Sequence, residues 1–183
     1  SHVDLPVIPA DRARLDAVEL VPFDHAIQAG VDAIMTAHVA LPEILGVDGP
    51  PATLSPDIMT GLLRADLAFD GVLFTDAKTM GAITDAYGIG EASVRAVEAG
   101  SDVILSPKDV SAAINAVVAA VNAGRINRRR LENSARRLLE MKAKLGRHRN
   151  RFVALDAVDD VVGSGAHLAF ADTAAARSMT LVQ

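Results

Sequence analysis

Three polar residues stand where short apolar runs end. His38 follows the run that starts at Asp32, Asp76 closes Gly71-Val-Leu-Phe-Thr-Asp76, and Ser106 follows Asp102-Val-Ile-Leu105. In parallel α/β proteins, ligands and chemistry gather at the C-terminal ends of the strands, so tips of neighbouring strands face one pocket. A carboxylate and an imidazole at such tips are groups that nucleophilic and proton-transfer chemistry uses. Asp76 carries the most information, because it ends the plainest strand. From spacing alone, an aspartate in that place is also what caps a following helix.

The elements that must position these tips follow from periodicity and punctuation. An internal repeat organises the chain: Ala26-Ile-Gln-Ala-Gly-Val-Asp-Ala-Ile-Met-Thr36 matches Ala96-Val-Glu-Ala-Gly-Ser-Asp-Val-Ile-Leu-Ser106. Each copy ends a helix, turns on a glycine suited to the left-handed position after a helix, and enters a short strand, which is half of a βα unit. Helices are predicted over 17–29, from Ser55-Pro56 to about Leu67, and over 89–99, 109–123, 127–145 and 164–178. Ser55, Asp109 and Asn127 are the expected caps, and Gly124 the expected stop. On the 127–145 helix, Leu131, Ala135, Leu138 and Leu139 are expected to form the inward stripe. Strands are predicted over 32–39, 71–75 and 102–105, with a further one opening at Met179.

Three strands do not close a (β/α)₈ barrel, which needs roughly 250 residues, and left alone they expose two unpaired edges. The sequence therefore reads as α/β: part of a (β/α)₈ TIM-type barrel, followed by the beginning of an α/β sandwich domain. The expected division is 1–146 for the C-terminal portion of the barrel, 147–163 for a polar linker, and 164–183 for the start of the second domain. The other half of the barrel is expected from the rest of the protein or from another chain.

Composition narrows the function. Half of the 183 residues are hydrophobic and 22% are charged, which fits a globular chain with a core. Aromatics are only 3%, with no Trp, so the core must be Ala, Val, Leu and Ile. The net charge of −5 gives no reason to expect nucleic acid, and the basic run from Arg125 to Arg130 reads as a solvated helix start. There is no Cys, hence no disulfide framework or thiol chemistry. No apolar run approaches the ~18 residues of a membrane span, and none reads as a signal peptide. The compartment, cytoplasmic or exported, is left open. No metal-ligand spacing, phosphate-cradling glycine loop or Ser-His-Asp set stands in competition.

The stretch Leu62-Leu-Arg-Ala-Asp-Leu-Ala-Phe-Asp-Gly-Val-Leu-Phe-Thr-Asp-Ala-Lys-Thr-Met-Gly-Ala-Ile83 resembles the surroundings of the nucleophilic aspartate in family 3 glycoside hydrolases, in their β-N-acetylglucosaminidase branch. The resemblance runs over nearly the whole chain and is strongest from Ala26 to Gly100. Ser1-His2-Val-Asp-Leu-Pro-Val-Ile8 is similar to the branch's flexible loop, where a histidine paired with an upstream aspartate moves the proton; no matching aspartate precedes His2 here. The run from Val161 to Val182 is similar to the entry into the family's second domain. The family's upstream substrate loop and early sugar-binding residues have no counterpart in this sequence.

The resemblance implies a retaining glycosidase that removes terminal β-linked N-acetylglucosamine, plausible substrates being peptidoglycan fragments. Asp76 would be the nucleophile and His2 the acid/base, with no cofactor or metal needed. Ser1-His2 also reads as a tag remnant. Met80 is expected in the sugar subsite or as a core or lid methionine. Three roles fit His38: a hydrogen bond to a sugar hydroxyl, a brace for Asp76, or a satisfied polar residue in the pocket wall. Tyr87 fits helix packing better than the pocket rim, and His25, His148 and His167 receive no role. The competing functions are a family 3 β-glucosidase or glycoside phosphorylase, or a non-catalytic sugar-binding barrel remnant.

Overall fold

The computed structural model of the chain describes residues 5–77, 83 and 86–180. The chain divides into two compact units, Ser1–Met141 and Lys142–Gln183.

In the first unit, helix α1 (Val21–Gln28) carries Pro22 in its first turn, where a missing N–H costs nothing. It ends at Gly30, whose φ of 82° is the left-handed turn expected there. Strand β1 (Ala33–Met35) follows. The helix Asp57–Asp66 is wound with π geometry, as in the bond from the Leu67 N–H to the Leu62 carbonyl at 3.0 Å. The hydroxyl of Ser55 makes no capping bond to it; the side chain is buried and its main-chain oxygen accepts from Met59 instead. Strand β2 (Val72–Phe74) comes next. Helix α2 (Ile89–Ala99) leads through Gly100 to the third segment. Helix α3 (Val110–Asn122) opens with the Asp109 carboxylate accepting from the Ala112 N–H at 2.9 Å and stops before Gly124. Helix α4 (Arg128–Lys144) opens with Asn127 accepting from Arg129 at 2.8 Å.

The strands pair in parallel, Ala33 with Val72, Ile34 with Leu73 and Met35 with Phe74. On its other side β2 meets the third segment through one bridge, Phe74 to Val103. The predicted strand over 102–105 is thus a bridge, because the Asp102 and Val103 N–H groups share the Leu73 carbonyl and the ladder closes with Thr75 donating to Val103 at 3.0 Å. The predicted 32–39 strand ends at Met35: the Thr36 N–H still donates to the Phe74 carbonyl at 3.0 Å, but beyond it the ladder with β2 stops and the Ala37 carbonyl is taken by the Thr53 hydroxyl at 2.8 Å. β2 is therefore central, and Val72 and Leu73 are buried, as a parallel strand covered on both faces requires.

Packing follows from aliphatic surfaces, as composition predicts. Ile34, Met59, Leu63, Phe69, Leu73 and Ala99 form the layer between strands and helices. Val94, Val97, Ala120 and Ile126 join α2 to α3. Tyr87 packs with Leu54, Ile83, Ala92 and Ala96, with the Arg95 guanidinium over its ring, in keeping with its expected packing role. The stripe predicted on α4 holds in part: Leu131 packs against the cluster of Val94, Val97, Ala120 and Ile126 and Leu138 is half-buried, but Ala135 and Leu139 are exposed, and the buried residue on that helix is Ser134. The basic run is likewise not simply solvated, since Arg125 binds Glu91 and Glu98, and Arg130 reaches inward to Asp102.

The second unit holds a short turn at Leu155–Ala157, a helical turn at Val158–Val161, and helix α5 (Gly165–Ser178). Leu168 and Phe170 on α5 are exposed. Met179 and Thr180 form no strand, and the rest of the predicted 179–182 strand lies outside the described residues. Among the described residues no helix is long and apolar enough to cross a membrane.

Candidate active site

Asp76 is delivered by β2. The strand leads directly into Thr75, which is fully buried and tied twice to the third segment: its N–H donates to Val103 and its hydroxyl oxygen accepts the Leu105 N–H, both at 3.0 Å. The residue before the carboxylate is thus fixed by main chain and side chain together. Asp76 itself is partly exposed, and its Oδ1 accepts the Ala77 N–H at 2.7 Å. That bond engages one of the two carboxylate oxygens.

His38 lies close by, fully buried. Its Nδ1 is 3.1 Å from the Thr53 hydroxyl and its Nε2 is 3.3 Å from the Ala77 carbonyl. Thr53 is also fully buried, donates to the Ala37 carbonyl at 2.8 Å and stands 3.3 Å from the Thr36 hydroxyl. Thr36 in turn reaches the Phe74 carbonyl with its N–H at 3.0 Å and its hydroxyl at 3.2 Å. The ends of β1 and β2 and the turn at Ala52–Leu54 are thus laced together around His38. Ser106 follows Leu105, the partner of Thr75; it is exposed and has a φ of 42°, a strained value for a residue other than glycine. The structure therefore brings His38 and Asp76 together through Ala77. His2 and Met80 lie outside the described residues.

At the opposite end of β2 is a charge cluster that the sequence did not announce. The Asp102 carboxylate is fully buried and receives Arg64 at 2.6 Å, Arg130 at 3.4 Å, Arg137 at 3.5 Å, the Ser134 hydroxyl at 2.5 Å and the Leu73 N–H at 3.0 Å. Ser134 also accepts from Arg130. Arg64 holds the Phe69 and Gly71 carbonyls at 2.9 and 2.6 Å, clamping the approach to β2. Burial holds the Arg64 and Arg130 guanidiniums below the ordinary arginine range, opposed by the Asp102 charge. The end of the strand that enters the barrel is where such networks serve stability. The repeat marked Asp102 by position, but its partners lie on segments remote in sequence.

Among the described residues, no cluster of three or more His, Asp or Glu side chains is placed to hold a metal ion. The model of the glycosyl hydrolase family 3 N-terminal domain matches residues 1–141. The chain is 32% identical over 164 residues to a beta-hexosaminidase A of Pseudoalteromonas piscicida, a match covering 79% of this chain and 27% of that protein. The solved structure of a family 3 beta-N-acetylglucosaminidase from Paenibacillus sp. str. FPU-7 superposes with a TM-score of 0.80 at 46% identity, over 85% of this chain and 30% of the other. A beta-glucoside phosphorylase superposes over 100% of this chain and 34% of its own at a TM-score of 0.88; at 24% identity this concerns fold alone. The chain belongs to glycosyl hydrolase family 3, and its first unit is part of that family's (β/α)₈ barrel. It spans about 30% of the length of these relatives.

Proposed function

We propose that the full-length protein is a retaining glycosidase that removes terminal β-linked N-acetylglucosamine, with peptidoglycan fragments as the substrate class. The observation that carries this reading is Asp76 at the tip of the central strand, one oxygen engaged by the Ala77 N–H and the carboxylate partly open. The names of the relatives support the sugar.

In this reading an Asp76 oxygen attacks the anomeric carbon as the bond to the leaving oxygen breaks, giving a covalent glycosyl-enzyme. His2 gives its proton to the leaving oxygen, then takes one from the water that attacks the anomeric carbon and frees Asp76. An imidazole suits this exchange near pH 7, because its imidazolium form gives the proton and the neutral form it becomes takes one from water. Met80 lines the sugar subsite. His38 serves the same site, and of its possible roles its buried ring favours the brace over a direct bond to sugar. Residues 1–146 are the C-terminal portion of the barrel, 147–163 a linker, and 164–183 the start of an α/β sandwich domain.

The test is the first-formed product of an aryl β-N-acetylglucosaminide turned over by the full-length gene product, followed by proton NMR. The β-anomer of N-acetylglucosamine is expected, and the α-anomer would overturn a covalent route. Formation of N-acetylglucosamine 1-phosphate when phosphate replaces water as acceptor would establish a phosphorylase, and preference for the β-glucoside a β-glucosidase. No turnover, with binding of N-acetylglucosamine, would leave a sugar-binding barrel.

A further inference from the structure

We propose that His38 is a positioning residue for Asp76, acting through the backbone of Ala77 and itself held by Thr53. The proposal rests on the reading of Asp76 as nucleophile. Residue 77 has two main-chain polar groups, and both are engaged: its N–H holds the Asp76 carboxylate and its carbonyl meets His38 Nε2. The two groups belong to successive peptide planes joined at the Ala77 Cα, so a hold on the carbonyl restrains residue 77's backbone, and through it the direction of the N–H and the rotamer of the carboxylate.

The donor count decides how the ring sits. A carbonyl oxygen only accepts, so Nε2 carries a hydrogen toward Ala77. The Thr53 hydroxyl has one hydrogen to give. If it goes to the Ala37 carbonyl, 2.8 Å away, Nδ1 donates to Thr53 and the ring is protonated on both nitrogens. If it turns to Nδ1, the ring is the neutral Nε2–H tautomer. In both arrangements Nε2 keeps its hydrogen on Ala77, so the brace is the same in either charge state. The ring has no exposed surface, and Thr53 has none either, which separates a brace from a sugar contact. Buried bonds of this kind also hold geometry better than exposed ones, because water does not compete for their partners.

The experiment uses the full-length gene product and its His38→Leu, His38→Gln and Thr53→Val variants. Two quantities are read: the maximal rate of covalent trapping by a 5-fluoro N-acetylglucosaminyl donor, and the inhibition constant of N-acetylglucosamine. His38→Leu is expected to lower trapping and kcat by about 100-fold, the scale of a 1 Å misplacement of a reacting group, with the inhibition constant unchanged. Gln, whose amide reaches the place of Nε2, is expected to restore most of the rate. Thr53→Val keeps the buried shape, removes the partner of Nδ1 and is expected to lower trapping by about 10-fold, roughly the 1–2 kcal/mol of one buried hydrogen bond. A rise in the inhibition constant that matches the loss of rate would overturn the brace in favour of sugar binding. Equal trapping rates in Leu, Val and unsubstituted protein would overturn it outright. Absence of label on Asp76 in the unsubstituted protein would instead sink the nucleophile assignment, and the brace with it.

Discussion

Arg64 and Asp102 meet at 2.6 Å in a site where the carboxylate is wholly shielded from water, 38 residues apart in sequence. The pair joins the helix Asp57–Asp66 to the segment that pairs with β2, and Asp102 also accepts the Leu73 N–H. Removing the carboxylate leaves Arg64, Arg130 and Arg137 facing one another, and breaking such a pair costs about 3–5 kcal/mol. Asp102→Ala should therefore lower the denaturant midpoint of the barrel domain by a corresponding amount. A variant as stable as the parent would show that the cluster gives no net support.

Gly100 and Gly124 both end helices with positive φ, 135° and 74°, but their surroundings differ. A Cβ on Gly100 would lie 2.9 Å from the Thr60 hydroxyl and 3.2 Å from Met59 Cβ, whereas one on Gly124 would meet nothing within 4 Å. Gly124→Ala should cost only the left-handed backbone strain, about 1–2 kcal/mol. Gly100→Ala should add overpacking, for a total of about 2–5 kcal/mol. Thermal unfolding of the two variants side by side tests the ranking, and equal losses would contradict the close approach.

Glu91 binds Arg125 through both oxygens at 2.8 Å and also Arg95 at 2.7 Å. The bonds from Arg125, then those from Arg95, bring its carboxyl from the ordinary 4.5 to about 2. A carboxyl depressed in the folded state stabilises fully above its unfolded value and loses that contribution as pH falls through the folded one. Arg125→Gln should thus be less stable than the parent at neutral pH, with the gap closing between pH 4.5 and about 2. Melting temperatures of both proteins across that range check this, and a gap independent of pH would contradict it.

Much of the helical frame was legible because local chemistry specified it. Ile89–Ala99 matches its predicted bounds, and Asp109 and Asn127 cap as their side chains suggest. The strands were read too long, because an apolar run does not reveal where a neighbour stops supplying partners. The π winding of Asp57–Asp66 leaves no periodic mark in ten residues. Within the site, the tips carrying His38 and Asp76 were legible from the repeat and the run before Asp76. Thr53 and Thr75 were not, since each acts through bonds to segments 15 or more residues away. The inward face of α4 was read only in part for the same reason: beside Leu131 it meets a buried charge, and so also carries Arg130, Ser134 and Arg137.

The nucleophilic role of Asp76 is the central claim, and its test is the intact mass of the full-length gene product after incubation with a 5-fluoro N-acetylglucosaminyl donor, with Asp76→Ala as control. A gain of one sugar per molecule, mapped to Asp76 and lost in the variant, is the predicted result. A folded protein that gains no mass while a known retaining N-acetylglucosaminidase is labelled in parallel would contradict it.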